Sequence, residues 1–242
     1  MSTLSNELKD MAMETGFVSI GITKPEMLRD LPYGWVGKIR RLNNLEEELQ
    51  TVKSVILLAW HSWDKTFNLN VEPPKDCKDE SHYESHYFSD EIMKNKAWGI
   101  VDFLHRRGFD AKWSVNIPLK TAAVKCGVGS QGKNTLLISP VFGPRIKLIA
   151  ILTDAILDID SPFERDLCGD CDKCVKVCPT NAIEPYRLNI THCMVYSAEC
   201  PGSTDVPEFV RKEEQRLFQR PTPNSYIECT RCMDVCPIGK KI

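Results

Sequence analysis

The residues of this chain best suited to do chemistry are its cysteines. Cys168, Cys171, Cys174 and Cys178, followed by Pro179, are spaced C-x2-C-x2-C-x3-C-P, the bacterial ferredoxin run. Three thiolates at this spacing wrap one iron–sulfur cubane when the backbone loops around it, and the fourth points to a neighbouring cluster. The spacing predicts that Cys178 is carried on the start of a helix, where Pro179 would need no amide hydrogen. A zinc knuckle, by contrast, typically uses two C-x2-C pairs rather than this staggered order. A second run, Cys229, Cys232 and Cys236 before Pro237, repeats the end of the first, and the position of a further cysteine is held by Tyr226. Two [4Fe–4S] clusters need eight thiolates, and the runs supply seven. The eighth is Cys193 or Cys200. Exchange of the last cysteine of each run gives one set of Cys168, Cys171, Cys174 and Cys236. The other holds Cys178, Cys229, Cys232 and one of those two. Cys193 is favoured, because Arg187-Leu188 to Cys193 looks like a short return from the helix after Cys178. The remaining cysteines, Cys77, Cys126 and Cys200, are then ordinary small side chains. The chemistry is electron transfer.

Clustered thiols in a chain with no export signal favour metal over disulfides. Met1 to Asp10 is polar, and Arg40-Arg41 is not followed by an apolar stretch, so neither a signal peptide nor a twin-arginine signal is expected. A cytoplasmic, anaerobic setting is the expectation. The 242 residues are 42% hydrophobic and 26% charged, which fits a globular protein and excludes disorder, collagen and coiled coil. No run approaches the roughly 18 apolar residues of a membrane span. The net charge of −2 argues against a broad nucleic-acid footprint.

The elements that must position these thiols show in the periodicity. Residues 3–15 read as a helix with Leu4, Leu8, Met11 and Ala12 on one face, closed by Gly16. Residues 89–107 carry Ile92, Ala97, Ile100, Val101 and Leu104 at helical spacing, closed by Gly108. Leu45 to Gln50 and residues 119–126 read as shorter helices. Strands are expected at Phe17 to Ile22, Val52 to Trp60, Asp110 to Val115, Thr135 to Ser139 and Arg145 to Thr153. The last two are expected to form a hairpin through Pro140 to Pro144. Residues 65–90, polar and containing Pro73-Pro74, read as a long surface loop or lid. Helices mixed with a hairpin-containing sheet give an α+β layered fold.

Between a helix and a strand lies Gly127-Val-Gly129-Ser-Gln-Gly132-Lys133-Asn134. It is neither a Walker loop nor a dinucleotide fingerprint, and taken alone it reads as a turn. Taken in order with Leu136 to Ser139, Leu148 to Asp154, the Cys168 run, Pro185 to Leu188, Cys193 and the Cys229 run, it resembles the epoxyqueuosine reductase and reductive dehalogenase superfamily. The resemblance is strong from residue 122 to 237. It implies a nitroreductase-like layered cobalamin-binding and substrate domain over residues 1–160. A ferredoxin-like domain with two [4Fe–4S] clusters would follow over 161–242. It supports Cys193 as the eighth ligand. It also implies that Gly127, Gly129, Ser130, Gln131, Gly132, Lys133 and Asn134, with Ser139 of the following hairpin, line the corrinoid site nearest the Cys168 cluster.

The departures from the family are specific. Epoxyqueuosine reductases carry an acidic proton donor shortly before the glycine loop, where this chain has Val115 to Lys120 with no carboxylate. Ser130 stands where they have tryptophan. Many continue into a helical repeat domain that helps to hold transfer RNA, and this chain is expected to be a short form without it. The expected activity is therefore reduction of a small molecule, not of transfer RNA, with no nucleic acid and no membrane involved. Electrons would come from ferredoxin or flavodoxin. The alternative is a non-catalytic carrier or activator serving a partner corrinoid protein. Lys120, Tyr83, Tyr87 and His86 are the candidate proton donors. His82 and His86, four apart, fall short of a metal site. His61 reads as a strand-end packing residue, and Lys240-Lys241 as a solvated tail.

Overall fold

The computed structural model describes residues 3–29, 43–72 and 86–239. At its centre is an antiparallel sheet in the order β1 (Ser19–Thr23), β2 (Ser54–His61), β8 (Ile146–Thr153), β5 (Ala111–Ser114). Side chains alternate across a strand, and both faces of β2 are covered. Ile56, Leu58 and Trp60 join one apolar layer with α1 (Thr3–Glu14) and α3 (Phe88–Arg106). Val55, Leu57 and Ala59 join the opposite layer with α2 (Leu45–Glu48) and α4 (Leu119–Lys125). The two long helices stop where expected, at Gly16 (φ +88°) and Gly108 (φ +82°), in the left-handed backbone that favours glycine. The fold is α+β, with helices layered on both sides of the sheet. No helix among the described residues is long and apolar enough to cross a membrane.

Three local expectations need correction. The first is the hairpin through Pro140 to Pro144, which survives only as a bridge between Ser139 and Gly143. β7 (Leu137–Ile138) folds back instead on β6 (Ser130–Gln131). Both edges of β8 are already taken by β2 and β5. Gly129 lets the chain close the other way: a Cβ there would lie 2.3 Å from the Ile138 carbonyl oxygen.

The second concerns residues 65–90, which are not one loop. They supply β3 (Leu69–Val71) and β4 (His86–Tyr87) to a second sheet, ordered β11 (Gln219–Thr222), β12 (Ser225–Ile227), β3, β4. Strands this short show no alternation in sequence. Pro73-Pro74, Cys77, His82, Tyr83 and Lys240-Lys241 lie outside the described residues.

The third is Cys178, which ends a helix rather than starting one. α5 (Lys173–Val177) stops at it, and Pro179 lies in the turn that follows. After β9 (Ile183–Glu184) and β10 (Arg187–Leu188), a small core forms around α6 (Met194–Glu199) and α7 (Glu208–Leu217). α8 (Arg231–Asp234) then packs on α5.

Candidate metal centre

The Cys168 loop is shaped by one carboxylate. Asp166 accepts the backbone N–H of Cys168 at 2.9 Å and of Gly169 at 3.2 Å, and the Tyr186 hydroxyl at 2.7 Å. The Tyr186 hydroxyl first, then these amides, hold the Asp166 carboxyl below its usual range, while the same pairing pushes Tyr186 up to about 12. With Gly169 at φ +48° the backbone curls so that Cys168, Cys171 and Cys174 line one cavity. Cys236 completes its wall from the second run.

The other thiols gather next to it. Burial, then Cys229 and Cys178 beside it, push the Cys193 thiol up to about 11. Cys229 is raised by burial and by Cys178. Cys232 is raised by burial and faces Cys229, Cys193, Cys174 and Cys178. Cys232 and Cys174 sit on α8 and α5, so the packed helices bring the two sets side by side. Cys200 is fully buried at the end of α6, and Cys126 is buried in the central core, where burial raises its thiol to about 12. Among the described residues no three Cys, His, Asp or Glu side chains close on one point as a single metal ion requires. Cys168 takes a hydrogen bond from the Lys133 amide at 3.4 Å, and Cys178 one from the Ala182 amide at 3.3 Å. Such contacts tune cluster potentials.

The glycine loop ends where both runs meet. Gly132 to Thr135 forms the turn of the β6–β7 hairpin, closed by Gly132 N–H to Leu136 at 2.8 Å. From that turn Lys133 donates through Nζ to the Gly169 carbonyl at 2.6 Å, and Asn134 Nδ2 reaches the Cys232 carbonyl at 3.5 Å. Asn134 and Ile138 line the Cys168 cavity. Gln131 is exposed, Ser130 is buried with its Oγ unpartnered, and the Ser139 hydroxyl accepts the amides of Val141 and Phe142 at 3.3 Å each. Gly127, at φ +81°, passes the chain close under Ser161.

The proposed proton donors are scattered. Lys120 is exposed on α4, which packs on β6 and β7. His86 lies in β4. Tyr87 is half-buried in β4, its hydroxyl donating to Glu199 Oε1 at 2.6 Å or, closer still, to Glu228 Oε1. One hydroxyl proton serves only one carboxylate at a time. Burial raises the Glu228 carboxyl, and Lys147 opposes that shift. Lys147 stands 4.0 Å from Glu228 and over the Tyr87 ring. Sequence reasoning missed this group, although a lysine inside the apolar run Ile146-Lys147-Leu148 and a glutamate directly before Cys229 were its visible signs.

Residues 167–239 match the family model of a 4Fe-4S double cluster binding domain. The epoxyqueuosine reductase of Prochlorococcus marinus is 27% identical over 98% of this chain and 79% of its own length. That of Listeria monocytogenes is 32% identical over 49% of this chain and 28% of its own. Epoxyqueuosine reductase from Bacillus subtilis, solved with its catalytic aspartate loop swung out of the active site, superposes with a TM-score of 0.72 at 22% identity, over 98% of this chain and 66% of that one. The catabolic reductive dehalogenase NpRdhA, in complex with 3-bromo-4-hydroxybenzoic acid, gives 0.62 at 17% identity, over 97% and 31%. In fold, this chain is similar to the solved epoxyqueuosine reductases and to the reductive dehalogenase. It spans about two thirds of the solved epoxyqueuosine reductase chain and about a third of the dehalogenase.

Among these relatives, the expected exclusion of transfer RNA and of any nucleic acid is overturned. The curated relatives are epoxyqueuosine reductases, and a solved one of the same fold (TM-score 0.71, 22% identity, over 98% of this chain and 66% of that one) holds an epoxyqueuosine-modified tRNA stem loop. Net charge misled because it sums the whole surface, whereas phosphates meet local groups.

Proposed function

We propose that this chain is a cobalamin-dependent reductase acting on an epoxide of the epoxyqueuosine class carried by transfer RNA. The observation that carries the reading is the Gly132–Thr135 turn, which touches the Cys168 sulfur and the Cys232 backbone at once. The residues fit two clusters: Cys168, Cys171, Cys174 and Cys236 would hold one, and Cys178, Cys193, Cys229 and Cys232 the other. The β6–β7 hairpin would carry the corrinoid. Its buried, unpartnered Ser130 Oγ suits a corrinoid's peripheral amides. When bound, the clusters supply single electrons and the cobalt a strong nucleophile, chemistry that belongs to the cofactors.

The protein's own part is to position and to supply protons. Reducing an epoxide to an alkene takes two electrons and two protons and releases water. Lys120, on the helix that supports the hairpin, is the candidate to hand over a proton, taking the place of the family carboxylate. A reducing, cytoplasmic setting suits thiolate ligation.

The test is anaerobic reconstitution with iron, sulfide and hydroxocobalamin, followed by incubation with an epoxyqueuosine-containing tRNA stem loop and a chemical reductant. About eight iron and one cobalt per chain, with loss of the epoxide oxygen by mass spectrometry, is the expected result. Full cofactor loading with an unchanged stem loop would overturn the substrate.

A further inference from the structure

Arg145 lies directly before β8, and contacts on both sides of Cys236 fix its neighbourhood. On one side, Gly143 runs so close to the second cysteine run that a Cβ there would lie 2.0 Å from the Ile238 carbonyl oxygen. On the other, Arg145 Nη2 faces Asp234 Oδ1 at 3.6 Å. Cys236 falls between those two anchors in the chain, so Arg145 meets the stretch that carries it.

The ion pair does not account for this arginine. Asp234 is 61% exposed and the separation is loose, whereas the Arg145 side chain is only 22% exposed and its Nη1 is buried with no hydrogen-bond partner. A buried guanidinium N–H left unmatched is costly, and the charge cannot be shed by deprotonation. An anionic neighbour would resolve it. A [4Fe–4S] cluster with four thiolates is such a neighbour, because it carries negative charge that grows by one on reduction.

The second thiol set is arranged differently. Lys147, two residues further along the same strand, has Glu228 at 4.0 Å, and Glu228 directly precedes Cys229. There the cation is answered by a carboxyl group. Among the described residues, the buried Arg145 Nη1 has no hydrogen-bond partner.

We propose that Arg145 raises the reduction potential of the cluster held by Cys168, Cys171, Cys174 and Cys236 above that of its neighbour, so that electrons run from the Cys193 side towards the glycine hairpin. In each transfer one electron leaves the 1+ state of the Cys193-side cluster, returning it to 2+, and takes the other from 2+ to 1+. No bond forms and no proton moves. The electron originates in a low-potential one-electron donor. Net charge near a cluster is one of the terms that sets its potential.

The inference rests on the two-cluster reading, so its test measures both. Wild type, Arg145→Gln, Arg145→Lys and Asp234→Asn are reconstituted anaerobically as full chains. Iron is counted, and each midpoint is followed by electron paramagnetic resonance during a redox titration. The Cys193-side signal is the one lost in Cys193→Ser. Arg145→Gln is expected to lower the midpoint of the Cys236-side cluster with little change in the other, and Arg145→Lys to restore most of the shift. Asp234→Asn, which removes the competing carboxylate and leaves the arginine in place, is expected to raise the same midpoint. Full iron with both midpoints unmoved, or moved together, overturns the inference alone. Too little iron for two clusters in the wild type overturns the cluster reading and the inference with it.

Discussion

β2 and β8 pair along their whole length, and apolar layers bury both faces of β2. The segment from Cys168 onwards builds no element longer than the ten-residue α7, and its core is a cluster around Met194, Val210 and Tyr226. The first region follows from hydrophobic burial, at roughly 25 cal/mol per Å² of apolar surface. The second has too little of it, and small domains of that kind lean on metal or cross-links. It is tied to the first by β12 pairing with β3 and by the turn at Lys133. One chain thus sets a large apolar core beside a small one that lies in the segment matching a double cluster binding domain.

Removing the metal is the strongest way to break that contrast. Stripping iron with ferricyanide and a chelator is expected to abolish amide-exchange protection across 167–239 while β2 and β8 stay protected. Equal loss in both regions, read by hydrogen-exchange mass spectrometry, would erase the distinction. The converse is a core substitution. Leu58→Ala is expected to cost about 2–5 kcal/mol in chemical denaturation while leaving the iron content at the wild-type level.

A smaller effect is expected where the regions meet. Tyr87→Phe removes the hydroxyl shared by Glu199 and Glu228. It should cost about 1–3 kcal/mol, much of it recovered in the double variant with Glu228→Gln. Thermal melts of the four proteins of that cycle check it.

The smallest effect concerns His61, whose ring packs on Phe142 at 4.5 Å. Its pKa is lowered from 6.5, first by burial and then by Arg145. A depressed folded value means that its contribution is full above about pH 6.5 and is lost as the pH falls through that lower value. The wild-type melting temperature should therefore drop more on acidification across that window than that of His61→Gln.

The same contrast explains what the sequence could tell. The central strands and long helices were legible because Val55 to Trp60 is a continuous apolar run, Met93 to Leu104 repeats at helical spacing, and Gly16 and Gly108 mark the helix ends. The thiol spacing identified the double cluster domain, and Cys168, Cys171, Cys174 and Cys236 line one cavity. What stayed hidden was short or long-range. β3 and β4 are too brief to show a pattern. The β6–β7 pairing depends on Gly129 permitting a close approach that no periodicity encodes. Arg145, Lys147 and Glu228 acquire meaning only when residues some eighty to ninety positions apart meet. Transfer RNA was discounted on the expected short form together with a summed charge, and a summed charge carries no information about where the charges lie.

The most direct measurement is the iron and sulfide content of wild type, Cys193→Ser and Cys200→Ser after identical anaerobic reconstitution. About eight iron in the wild type and in Cys200→Ser, falling towards about four in Cys193→Ser, is the expected result. Loss of a cluster in Cys200→Ser with Cys193→Ser intact would contradict the assignment of the thiols on which the electron path depends.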